Sequence, residues 1–454
     1  MKKEWILLVA VVSVTLFLTL GLIRWFAPQL LGIPVDLQAV RVSKEIPPFF
    51  ENAFHLGDLG SREFLLQDPY TNVRAMPFYT DFSGLGLGPH DLLGFRNRSI
   101  PYIADVIAIG DSQTYGNNTV LAANWPSRLQ GLLADRQPVV YSMATGGWGA
   151  VQYLNVYAYA TAFQPRVVVI AFYSGNDPDE SVTLAYSNDH WALLRPDTRL
   201  NLSDKPRFPG FPVPPSEHWQ AHFEGGMHLT FTPSLRLVSN DTAYATVRAG
   251  YEIIEKVAQA INQLAGDAGI HIVLTVIPTK ELVYAERVHR EGIKSSAEYA
   301  KLVSLERANI ARLAQSFKRL TNSEYVDLVE PLQKAATTNE PLYPPEPDGH
   351  PLEAGNRVIA AAIAPVISKH LTPPPRGLVG VANTSNSVIP FLATAEGLWR
   401  FSTKELAVSN GWNPDQIRFV LPRDIAALPQ LGVIYVVNQK KFGPRAVNAP
   451  GPVR

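Results

Sequence analysis

Val106-Ile107-Ala108-Ile109-Gly110-Asp111-Ser112-Gln113-Thr114-Tyr115-Gly116 is the stretch that decides the fold. Four apolar or small residues run into Gly110, which reads as a buried strand ending abruptly. A serine then stands at its tip, between an acid and a Gln-Thr pair. Gly-Asp-Ser is ordinary turn chemistry, because Asp and Ser bond to their own backbone. A serine at the carboxyl edge of a parallel sheet also stands where open α/β folds bind ligands. The tripeptide fits both readings.

Working outward, the pattern is regular. Asn124-Trp125-Pro126 supplies an N-cap and an early proline for a helix to about Ala134. Pro138–Met143 reads as a second strand, Gly149–Phe163 as a helix and Arg166–Tyr173 as a third strand apolar enough to be buried on both faces. From Pro178 to about Asn240 there is little periodicity, so 178–240 reads as a long insertion or lid. Helices over Thr242–Ala265 and Ala297–Leu320, strands over His271–Ile277 and Tyr325–Val329, and a helix from Leu352 to Lys369 resume the alternation. That alternation predicts a doubly wound α/β domain over 101–372, with a mostly parallel five-stranded sheet and helices on both faces. Residues 27–100 read as a lead-in, and 373–454 as a small β-rich extension.

Composition narrows the function. Lysine plus arginine and aspartate plus glutamate balance at 40 each, so nothing points to nucleic acid. There is no cysteine, which excludes disulfides, a thiolate zinc site and a cysteine nucleophile. Trp5–Ile23 carries no charge and follows Lys2-Lys3, the pattern of a single-pass anchor over 1–26 with a cytoplasmic N-terminus. The expected location is the inner membrane, with the remaining chain on the periplasmic or extracytoplasmic side.

Each predicted strand is followed by chemistry. After the first comes Ser112; after the second, Ala-Thr-Gly-Gly147-Trp-Gly; after the third, Ser-Gly-Asn176-Asp177; and before the last helix, Pro-Asp348-Gly-His350-Pro. In a parallel sheet all four lie at one edge. They are the parts of acyl transfer by a serine: nucleophile, oxyanion donors, base and orienting acid. Four blocks in this order resemble the SGNH (GDSL-type) hydrolases, whose fold is flavodoxin-like. The resemblance implies Ser112 as nucleophile, Ser112, Gly147 and Asn176 as oxyanion donors, and His350 as base with Asp348 as its partner. It calls for no metal or cofactor.

The Asp-x-His spacing resembles extracytoplasmic polysaccharide O-acetylation proteins of this type and leaves Glu346 as an alternative orienting acid. The resemblance thus implies a serine esterase or O-acyltransferase acting on acyl esters of a cell-envelope or exported polysaccharide, alongside a membrane-bound O-acyltransferase system. The alternatives are a lipid or short-chain esterase and a non-catalytic polysaccharide-binding protein. Trp148 and Asp177 are candidate substrate contacts; Trp148, Trp191 and Trp219 form either a sugar-stacking platform or core packing. His218 and His222 at i,i+4 spacing are an incomplete metal pair without a third ligand, so no metal is expected.

Overall fold

The computed structural model describes residues 64–80, 87–101, 103–371 and much of 377–441. The expected anchor over 1–26 lies outside the described residues. Among the described residues no helix is long and apolar enough to cross a membrane.

Five strands form the central sheet: β3 (Val106–Gly110), β4 (Val140–Ala144), β5 (Val167–Tyr173), β8 (His271–Ile277) and β9 (Ser323–Val326). Their order is β4-β3-β5-β8-β9, and every pairing is parallel. In order of appearance this is 2-1-3-4-5, the flavodoxin-like arrangement, whose ligands bind where the winding reverses beside the first strand. The tip of β3 is that point, and Ser112 follows it.

The sheet is buried on both faces because each strand feeds two cores alternately. Ile107, Ile109, Val168, Ile170, Phe172, Ile272 and Leu274 face one core, under α3 (Ala150–Ala160), α4 (Asp177–Ser187) and α6 (Ala245–Ala268). Val106, Ala108, Val167, Val169, Ala171 and Val273 face the other, under α2 (Trp125–Leu132), α7 (Lys280–Arg290), α9 (Val329–Ala336) and α10 (Glu353–His370). All seven residues of β5 are buried, and burial of a Val- or Ile-sized side chain stabilises by roughly 1.5–3 kcal/mol. Helix α8 (Ala297–Phe317) reaches both cores.

The expected open insertion at 178–240 is mostly structured. It contains α4, a hairpin of β6 (Trp219–His222) and β7 (His228–Phe231), and α5 (Pro233–Asn240). Helix α4 escapes a periodicity search because its first turn, Asp177-Pro178-Asp179-Glu180, is acidic and reads as loop. Helix α7 was likewise missed: Lys-Glu-Leu-Val-Tyr-Ala-Glu-Arg-Val-His-Arg is charged overall, yet buries Leu282, Val283, Tyr284 and Val288. Upstream, β1 (Leu65–Asp68) and β2 (Asn72–Ala75) form a hairpin. Downstream, β10 (Gly377–Ala382), β11 (Val388–Ala393), β12 (Leu398–Phe401), β13 (Arg418–Phe419) and β14 (Gln430–Ile434) make a second sheet with small cores of its own.

Candidate active site

The turn that carries Ser112 is built first from its own residues. Asp111 caps the one-turn helix α1 (Ser112–Tyr115), its Oδ1 accepting from the Gln113 amide at 2.9 Å. A side chain on Gly110 would collide with Thr114, so only glycine lets the strand turn so sharply into the helix. Gly116, at φ +84°, ends it. The lead-in then grips this turn from outside. Buried Arg96 donates to the carbonyls of Gly88, Gly116 and Thr119, and His90 Nε2 meets the Tyr115 hydroxyl at 2.7 Å. Burial lowers His90 to about 4 and so keeps it neutral.

Ser112 Oγ lies 2.8 Å from His350 Nε2, and His350 Nδ1 lies 2.6 Å from Asp348 Oδ1. With a carboxylate at Nδ1, the ring carries its proton there, and Nε2 is free to accept from the serine hydroxyl. The same Asp348 oxygen accepts the His350 amide at 2.9 Å, while Asn118 donates to the other at 2.8 Å. Partial burial alone would raise the Asp348 carboxyl. The hydrogen bond and charge of His350, aided by Asn118, outweigh it and hold the group well below the usual carboxylate range. The carboxylate in contact with the His350 ring is that of Asp348, while Glu346 is exposed.

The loop carrying Asp348 and His350 is held from afar. Lys280, 2% exposed, donates to the carbonyls of Pro344 (2.6 Å), Glu346 (2.7 Å) and Thr230 (3.0 Å). Burial lowers this ammonium to about 8, against the pull of Glu281, Asp348 and Glu346. Gly349 fits closely because a side chain there would strike the Arg236 guanidinium.

The expected oxyanion donors come from the neighbouring strand ends. A Cβ on Gly146 would sit 3.7 Å from Ser112 Cβ, so this loop borders the nucleophile. Gly147 adopts φ +76°, a conformation that favours glycine. Among the described residues, the amides of Ser112 and Gly147 are not spent on backbone partners. Asn176 is the N-cap of α4, but its side chain makes no capping bond. The loop before it is pinned by Glu306, which accepts from Ser174 Oγ (2.5 Å) and from the Thr279 amide (2.7 Å) and hydroxyl (2.6 Å). Complete burial pushes Glu306 up to about 7.

Four residues singled out in the sequence, Trp148, Trp191, Trp219 and Asp177, are engaged in packing or internal hydrogen bonds. Trp148 is fully buried, with its indole N–H on the Val73 carbonyl at 2.8 Å. Trp191 donates to Tyr70, and Trp219 lies against Phe231 and Tyr299, so the three indoles form no common platform. Asp177 is fully buried and accepts the Tyr173 amide at 2.9 Å. Burial, then the charge of Asp111, raises its carboxyl well above the ordinary value. Asp111 lies behind the serine, with Oδ2 3.4 Å from Oγ, and burial pushes it up to about 6. His218 and His222 do not share a helix face, since His222 pairs with His228 across a hairpin. Asn118, Lys280, Arg96 and Glu306 carry no motif, and sequence reading found none of them.

No protein-family model matches the chain, and no curated protein matches it. Among solved structures it is similar to a GDSL-like lipase from Bacteroides thetaiotaomicron at 17% identity and TM-score 0.30, covering 59% of this chain and 88% of that one. It is similar to TesA at 14% and 0.32, covering 59% and 99%. A catalytic mutant of an acetylxylan esterase from Geobacillus stearothermophilus matches at 14% and 0.33, covering 59% and 95%.

Proposed function

We propose that the chain is a serine esterase of the SGNH type. The observation that carries this reading is the continuous relay from Ser112 Oγ through His350 to Asp348, at 2.8 and 2.6 Å. His350 takes the hydroxyl proton as Ser112 Oγ attacks an acyl carbonyl, and Asp348 stabilises the resulting imidazolium. The amides of Ser112 and Gly147 and the amide group of Asn176 receive the oxyanion. Collapse of the tetrahedral intermediate expels the alcohol, which leaves with the proton from His350. Water then resolves the acyl-enzyme; a sugar hydroxyl in its place would make the reaction a transfer.

The substrate we propose is an acyl, chiefly acetyl, ester on a cell-envelope or exported polysaccharide, handled alongside a membrane-bound O-acyltransferase system. The Asp-x-His spacing supports that class, and the uncharged Trp5–Ile23 span supports an anchored, extracytoplasmic enzyme. The test compares acetylated oligosaccharide, p-nitrophenyl acetate and a long-chain p-nitrophenyl ester, with product analysis in the presence of a sugar acceptor. Turnover of the acetyl substrates that disappears in Ser112→Ala supports the reading. Preference for the long chain would make the protein a lipid esterase, and no turnover of any ester would make it a binding protein. A reporter fused after Arg454 that works only in the cytoplasm would overturn the location.

A further inference from the structure

The edge of the sheet away from Ser112 carries a second cluster. His271 opens β8, Glu324 lies in β9 and His370 ends α10, so three separate elements bring their side chains together. The seven residues of β8, beginning at His271, place it roughly 20 Å from the other end of that strand. His370 Nε2 lies 2.7 Å from Glu324 Oε1, and His271 Nε2 lies 3.6 Å from that same oxygen. The two imidazoles stack with centroids 3.5 Å apart. His271 Nε2 is shielded from solvent yet has no hydrogen-bond partner. Lys369 takes the other Glu324 oxygen at 3.1 Å and leaves Oε1 to the histidines.

We propose that His271, Glu324 and His370 form a binding site for a zinc-class divalent cation. One donor atom from each side chain lies within 4.8 Å of the other two. Ligands at about 2.1 Å from a tetrahedral ion stand roughly 3.4 Å apart, so small rotations that splay the stacked rings suffice to bring all three onto one ion. Two imidazoles and one carboxylate select zinc, nickel or cobalt over magnesium or calcium, which prefer all-oxygen shells. A groove lined by Thr161, Gln164, Arg166, Gly269 and Asn322 opens onto the histidines and gives entry to the ion and to a water as fourth ligand. The bound ion would tie β8 and β9 to the end of α10, where the chain leaves this sheet for the C-terminal one. Its role is a clamp, because the serine chemistry lies at the opposite edge.

The purified full chain, stripped with a chelator, is titrated with Zn²⁺ by calorimetry. One ion per chain is expected, with affinity weakened at least about tenfold in His370→Ala and in Glu324→Gln. Glu324→Gln retains a carbonyl to accept from His370, so it remains informative if a histidine variant misfolds. Loading with Co²⁺ should give the visible absorption of a tetrahedral site, and Zn²⁺ should raise the melting temperature of the parent chain but not of the variants. His222→Ala controls for adventitious histidine binding and should bind like the parent. Absence of binding at micromolar Zn²⁺, or equal affinity in the parent, His370→Ala and Glu324→Gln, overturns the site.

Discussion

The two loops that meet at the active site are held in opposite ways. The 110–118 turn is shaped mainly by its own residues, with Gly110 permitting the bend, Asp111 capping the helix and Gly116 closing it, and is braced from outside by Arg96 and His90. The 344–350 loop has little local structure and hangs from a buried ammonium that arrives from α7. In the proposed mechanism the first loop supplies the nucleophile, and the second supplies the base and acid. A capped turn takes its shape from its own sequence and is braced from outside, whereas a suspended loop takes its position from a distant residue and is exposed to any change there.

The largest effect should come from the first loop. Ser112→Ala should lower p-nitrophenyl acetate turnover by several orders of magnitude with an unchanged circular dichroism spectrum. Activity within about tenfold of the parent would remove Ser112 from its role. In the second loop, Asp348→Asn should cost roughly 10²- to 10⁴-fold in kcat, since the amide no longer fixes the tautomer or stabilises the imidazolium. Glu346→Gln should change almost nothing, and the opposite ranking would move the orienting role to Glu346.

Lys280→Met sharpens the comparison itself. It orphans the carbonyls of Pro344, Glu346 and Thr230 while touching no reacting atom. Displacement of the base by a fraction of an ångström to 1 Å predicts a kcat loss of roughly 10- to 100-fold, with KM much less affected. If kcat is unchanged, the loop holds its shape without the ammonium and the contrast between the two loops collapses.

The smallest effect is a pH dependence of stability. Glu306 is raised to about 7 in the folded chain, above its ordinary value of 4.5 in the unfolded one. Between those values the folded state keeps a proton that the unfolded state has released, so stability falls as pH rises through this window. Glu306→Gln should flatten that decline in melting temperature between pH 5 and 7, because an amide does not titrate. An identical pH profile in both proteins would show that Glu306 is ionised throughout.

The same contrast explains what could be read from the sequence. The tip of β3, the order of strands and helices and the Asp348–His350 pair were legible, because caps, glycines and apolar runs act over a few residues. Lys280 was not, since nothing in Pro278-Thr279-Lys280 indicates that its ammonium faces carbonyls more than sixty residues further on. Asn118 carries no local signal either, because its bond to Asp348 spans 230 positions. Trp148 fitted both a sugar-stacking platform and core packing in the sequence, and the fold resolves it to packing because the β1–β2 hairpin covers it.

One property of the central sheet reaches further than catalysis. Because its five strands run in one direction, every connection after a strand begins at the same edge, whatever its length. Ser112 and His350 are 238 residues apart in sequence and in contact in space. Chain length between blocks therefore does not by itself decide which residues meet at that edge. The 188–240 stretch uses that freedom to return to the edge it left: the Thr230 amide donates to the Pro345 carbonyl at 2.8 Å, and the Arg236 guanidinium lies against Gly349.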